Sequence, residues 1–164
     1  MRRTPPGLCY YIDMALIENR KARFNYEILE TYAAGMELFG FEVKALRASH
    51  GSLEGSHITV RGGEAYIIGM TIPPYQANNT PKEYDPMRTR RLLLRKQEIA
   101  ALAESEAKKG LTIVPISVYN KQGKSRGTLK LEIAIVRGKK KYDKRESLKK
   151  AASLRDTARE FRDR

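Results

Sequence analysis

The chain has 164 residues, 32 Lys and Arg against 19 Asp and Glu, and a formal net charge of +13. That length suits one domain, and 41% apolar content can bury a core, so the excess charge belongs to a folded protein whose partner is polyanionic. A single Cys excludes an internal disulfide framework and a cysteine-based zinc site and suits a reducing compartment. No run reaches the ~18 apolar residues of a membrane span, and Met1 to Asp13 lacks the apolar centre of a signal peptide, so a cytoplasmic protein without a membrane partner is expected.

In chain order, residues 1–13 read as a flexible arm, and Met14 is a plausible start for the domain that follows. Phe24, Tyr26 and Ile28 alternate with polar neighbours and predict a first strand running to about Tyr32. Gly40 then precedes FEVKALRA, which predicts one short helix. Leu53–Val60 and Ala65–Ile72 read as two strands joined at Gly62-Gly63, a pair that supplies the positive φ of a tight hairpin turn. Pro73-Pro74 ends the second of them and a polar loop follows. Leu92–Lys109 gives the longest helical signal, with Gly110 as its C-terminal stop. Leu111–Tyr119 and Thr128–Val136 are the clearest strands, joined by a long basic loop, NKQGKSRGT. Strands joined mostly by turns, with two helices, predict an α+β fold that is mainly β: an OB-like antiparallel barrel, closed or nearly so, over residues 14–136.

Residues 137–164 carry net +7 in 28 positions, against +6 in the rest of the chain. Arg137–Lys150 has 8 basic and 2 acidic residues and cannot fold alone by burying surface. Farther on, Leu148, Ala151, Leu154, Ala158 and Phe161 recur every three or four residues, the stripe of an amphipathic helix. The expectation is a tail that is disordered when free and helical on a partner.

Catalysis finds little support in the residues. His50 and His57 lie in the Gly-rich SHGSLEGSH, which cannot form the helix that would align two imidazoles on a metal. Cys9 has no nearby base, and Gly62-Gly63 lacks the Lys-Ser/Thr of a phosphate loop. Binding is better supported. Arg20, Lys21 and Arg23 stand beside Phe24 and Tyr26, a mixture of cations and aromatic faces suited to nucleotides. Arg88, Arg90, Arg91, Arg95 and Lys96 surround Leu92-Leu93-Leu94 at the expected helix start, where backbone N–H groups and guanidinium groups together could grip phosphates.

Five segments in order, NRKARFNYEI, AGMELFGFEVKALRA, DPMRTRRLLL, KKGLTIVPISVY and RGKKKYDKRE, resemble the small protein B (SmpB) family, the SsrA-binding proteins of bacterial trans-translation. The resemblance runs from about Met14 to Glu146. It implies a non-enzymatic adaptor, without cofactor or metal, that binds the tRNA-like domain of tmRNA and takes part in rescuing stalled ribosomes. Alanyl-tRNA synthetase and elongation factor Tu are its implied functional partners. Positions matching the family's tmRNA contacts are Asn19, Arg20, Lys21, Leu93 and Lys130. Gly138, Lys139, Lys140, Tyr142, Asp143, Lys144 and Arg145 match the motif that meets small-subunit ribosomal RNA at the decoding centre, with the tail in the empty mRNA channel. Two departures stand out: Ala33 occupies a place where the family often has an acid, and the 119–130 hairpin is about four residues longer. The competing expectations are a structural ribosomal protein bound permanently to rRNA and a small nuclease, the latter lacking any acidic or histidine site.

Overall fold

Leu129, Leu131, Ile133 and Ile135 project to one side of the last long strand, and the core is built against them. The computed structural model describes residues 15–76, 80–121 and 127–139. Its elements are β1 (Ala15–Glu18), α1 (Arg20–Asn25), β2 (Tyr26–Met36), α2 (Gly40–Arg47), β3 (His57–Arg61), β4 (Glu64–Ile68), β5 (Arg90–Leu93), α3 (Lys96–Ala107), β6 (Leu111–Lys121) and β7 (Thr128–Gly138). The strands form one antiparallel sheet in the order β1-β6-β7-β2-β5-β4-β3. The sheet curls so that Ile58, Ile67 and Leu92 from one half meet Ile113, Val118 and Leu131 from the other, with Ala45 and Leu46 of α2 and Leu102 of α3 filling the interior.

The sheet does not close into the expected barrel, because no ladder joins β1 or β6 to β3. β3 approaches β6, but α3 packs against both. Its Glu106 takes one hydrogen bond that a further strand could make, accepting from the Val60 N–H at 2.9 Å, and also accepts from the Thr59 hydroxyl at 2.8 Å. An edge N–H bonded in this way needs no partner strand.

Further boundaries differ from the sequence expectations: the strands expected at Leu53–Val60 and Ala65–Ile72 are shorter, at His57–Arg61 and Glu64–Ile68. The first strand begins at Tyr26, since residues 20–25 are helical. The long helix begins at Lys96, where Glu98 accepts from the Arg95 N–H, and Arg90–Leu93 is strand. The last strand extends to Gly138, paired with Tyr26, two residues beyond its expected end at Val136. The hairpin between β3 and β4 turns at Gly62-Gly63 with φ of 58° and 76°, as their lack of Cβ predicts. The N-terminal arm, most of the long β6–β7 loop and the tail from residue 140 lie outside the described residues.

One buried charge cluster anchors β5. Glu42, on the first turn of α2, is fully buried. Its Oε1 accepts from Arg90 Nε (3.0 Å) and Nη2 (2.9 Å) and from Arg88 Nε (3.0 Å), while Oε2 accepts from Arg88 Nη2 (2.6 Å) and the Phe39 N–H (2.8 Å). The equally buried Arg90 donates to the carbonyls of Met70, Pro86 and Arg88. The Tyr84 hydroxyl lies 2.9 Å from both Glu42 Oε1 and the Ile72 carbonyl. Arg88 stacks 4.2 Å above the Phe39 ring and keeps part of its surface in solvent, which accommodates the second positive charge. Burial alone would raise the Glu42 carboxyl pKa, but Arg88, the Phe39 amide and Arg90 outweigh it and hold the pKa below its ordinary value.

Glu42→Gln leaves two guanidinium groups without their carboxylate and should destabilise the fold by about 3–5 kcal/mol in chemical denaturation at pH 7. Because the folded pKa is depressed, this contribution is complete above the ordinary carboxylate value of about 4.3 and disappears as pH falls through the lower folded value. Wild-type stability should therefore drop more steeply below about pH 4 than that of Glu42→Gln.

Candidate nucleic-acid interface

The β2–β7 register decides which residues share a surface. Tyr32 and Ala34 oppose Ile133 and Leu131 on the core side. Thr31 and Ala33 oppose Ala134 and Glu132 on the other side. Across β6, Ser117 pairs with Glu132 and Tyr119 with Lys130 on that same outer side. Ala22, Val114, Ile116, Ala134 and Val136 form a small second core there, with Tyr26 packed on it. Strands β6 and β7 are thus covered on both faces, which explains why both read as apolar over most of their length.

Helix α1 is held on this outer face by Asn19. The Asn19 Oδ1 accepts from the Ala22 N–H at 3.1 Å, and its Nδ2 donates to the carbonyls of Leu53 (3.2 Å) and Pro115 (3.1 Å). Its own N–H donates to the Ile116 carbonyl at 2.8 Å. Asn19 is therefore buried and committed within the protein, whereas the resemblance implies an RNA contact. With Ala22 turned to the sheet, Arg20, Lys21, Arg23 and Phe24 are exposed. Lys21 pairs with Glu54, and Arg20 and Lys21 line a cleft of about 280 Å³ together with Glu18, Ser52 and Glu54.

The structure brings two distant positions to the same side of the sheet. Leu93 pairs with Gly35, two residues along β2 from Ala33, and is 54% exposed. A Cβ at Gly35 would stand 3.2 Å from Leu93 Cβ, so glycine allows this close approach. Lys130 lies beside Tyr119, next to Glu132 on its own strand. Arg20, Lys21, Arg23, Leu93 and Lys130 consequently occupy one side of the sheet.

The expected arginine cluster is dispersed instead. Arg88 and Arg90 hold Glu42, Arg91 pairs with Glu64 at 2.8 Å, and Arg95 and Lys96 are exposed at the start of α3. Of the tail positions, Gly138 lies in β7, and Lys139 donates from its backbone to the Asn25 carbonyl (3.1 Å) and from Nζ to the Arg23 carbonyl (3.4 Å). The tail therefore departs beside α1. Lys140, Tyr142, Asp143, Lys144 and Arg145 lie outside the described residues. Glu132 and Ser117 escaped the sequence reading, although alternation along β7 puts Glu132 on the same side as Lys130. His50 and His57 are exposed, and no group of three or more potential metal ligands occurs among the described residues.

The family model described as SmpB protein matches residues 16–163. This chain belongs to the SmpB family. Among the curated SsrA-binding proteins, that of Thermosynechococcus vestitus is 43% identical over 91% of this chain and 95% of its own. Those of Chelativorans sp. (45%, over 90% and 92%) and Thermosipho africanus (48%, over 80% and 86%) are similar. A solved chain described as "tmRNA-SmpB: a journey to the center of the bacterial ribosome" is 41% identical, with a TM-score of 0.63 over 80% of this chain and 93% of its own. The mainly-β architecture, a seven-stranded antiparallel sheet with few helices, matches that solved chain.

Asn19→Ala removes the α1 cap and the side-chain donor shared by the Leu53 and Pro115 carbonyls. It should lower stability by about 2 kcal/mol in denaturant melts. Arg20→Ala, one residue away and exposed, should change stability by less than about 0.5 kcal/mol.

Proposed function

We propose that this protein binds the tRNA-like domain of tmRNA on the α1 side of its sheet and acts with it on stalled ribosomes in trans-translation. The observation that carries this reading is the gathering of Arg20, Lys21, Arg23, Leu93 and Lys130 on one surface of a chain whose solved relative is named for tmRNA and the bacterial ribosome. The cations neutralise phosphates, and Leu93 packs against sugar or base surface. The basic segment beginning at Arg137 enters the empty mRNA channel and lies along ribosomal RNA, with Tyr142 stacking at the decoding centre. The protein binds and positions without catalysing a reaction. Alanylation and delivery of tmRNA fall to alanyl-tRNA synthetase and elongation factor Tu, and work on the ribosome places the protein in the cytoplasm.

Two measurements test this. Truncation belongs after Lys139, because Gly138 still pairs with Tyr26 and Lys139 still bonds to Asn25. The truncated chain should keep its affinity for the tRNA-like domain within about twofold, since no contact proposed for that domain is removed. It should also lose tagging of stalled products in a translation assay, and retained tagging would overturn the proposed role of the tail. Binding should weaken steeply with salt, and the double variant Arg20→Ala/Lys130→Ala should reduce the slope of log K against log salt by about 2. A slope equal to that of wild type would remove these two residues from the interface.

A further inference from the structure

A carboxylate in the middle of a surface that binds a polyanion should weaken binding unless it has a partner of its own. Glu132 is such a group. It lies on the outer face of β7, one position along that face from Lys130, with Ser117 across one ladder and Ala33 across the other. The Ser117 hydroxyl, itself buried, donates to Glu132 Oε2 at 2.8 Å, and Arg23 Nη2 is 3.8 Å from the same oxygen. Among the described residues, Oε1 carries neither contact, and 33% of the side chain is exposed. The facing residue on β2 is alanine, too small to overhang the carboxylate.

Pairing with Arg23 gives a weak account of this arrangement, because 3.8 Å to a largely exposed guanidinium is a loose contact. Orientation by Ser117 with one oxygen left over gives a better one. A carboxylate only accepts hydrogen bonds, so it cannot bond to a phosphate. A nucleotide offers it base amino and imino N–H groups and the ribose 2′-hydroxyl.

We propose that Glu132 is a specificity residue of the RNA surface, accepting through its carboxylate a hydrogen bond from an N–H or O–H donor of a bound nucleotide while Ser117 fixes its orientation. This rests on the tmRNA reading above. The surrounding cations supply affinity for any RNA backbone, and Glu132 restricts productive docking to RNA that places a donor over β7.

The sign of one mutational effect tests the idea. Glu132→Met removes both acceptor oxygens and one negative charge, so electrostatics alone make binding of the tRNA-like domain tighter. The proposal expects binding weaker by about tenfold at fixed salt, because the RNA donor loses its charged partner. Glu132→Gln, which keeps one acceptor, should recover part of the loss, and neither variant should change the salt slope, which counts phosphates. Thermal melting of both variants checks that the fold is retained. Unchanged or tighter binding by folded Glu132→Met overturns the proposal while leaving the tmRNA reading intact; failure of wild type to bind this RNA overturns that reading first. Repeating the comparison with RNA carrying 2′-fluoro in place of 2′-hydroxyl identifies the donor. If the difference between wild type and Glu132→Met vanishes, the donor is the ribose, and if it persists, the donor is a base.

Discussion

The burial of Glu42 between Arg88 and Arg90 is the constraint on which the arrangement of the sheet rests. The chain between β4 and β5 contributes little ladder, yet the carbonyls of Met70 and Arg88 need donors. The Arg90 guanidinium supplies them, and Glu42 holds that guanidinium from α2. A fixed, planar set of five N–H donors can satisfy several carbonyls and a carboxylate at once, whereas the single ammonium of lysine presents no such fork. The consequence reaches the surface, because Arg90 opens the strand that sets Leu93 beside Gly35.

The other half of the surface depends on covering strands β6 and β7 twice. One face carries the main core, and the other carries only Ala22, Tyr26 and four neighbouring apolar side chains. A helix of six residues has little stability of its own. Here it persists because Asn19 ties it to the carbonyls of two separate segments while Ala22 fills the sheet face. Its remaining positions are then available for cations. Lys139 bonds to the carbonyls of Arg23 and Asn25, so the residue that follows β7 is tied to this helix.

Several features were legible because they depend on local rules. Leu129 to Ile135 alternate with the period of a strand, and the Gly62-Gly63 turn needs positive φ at both residues. Helix α2 was legible from its apolar spacing, and its Glu42 serves as the N3 residue that accepts from the Phe39 N–H. The failures also have local causes. Phe24, Tyr26 and Ile28 imitate one alternating strand, but Asn19 caps a helix that includes Phe24, and nothing within the window reveals the carbonyls that Asn19 will reach. Leu92-Leu93-Leu94 fits a helix start as well as a strand, and pairing with β2 and β4 decided for the strand. Closure of the sheet was expected from strands joined mostly by turns, while α3 packs against β3 and β6 and its Glu106 bonds the Val60 N–H at the open edge. Arg90 was read as a surface cation because arginine is rarely buried, and only a carboxylate 48 positions away makes its burial tolerable.

The sequence alone determined the division of charge between body and tail, the strand-rich class, the absence of a disulfide framework and the resemblance to a family of RNA-binding adaptors. These follow from composition, short-range periodicity and ordered motifs. Tertiary structure decided which charges are available for binding: it drew Arg88 and Arg90 into the protein's own ion pairs with Glu42 and left Arg20, Arg23 and Lys130 at the surface. It also placed Glu132 among those cations. The reason is physical: a side chain's charge is written in the sequence, but whether that charge meets solvent, an RNA or an internal partner depends on strand register and long-range pairing, which local windows do not contain.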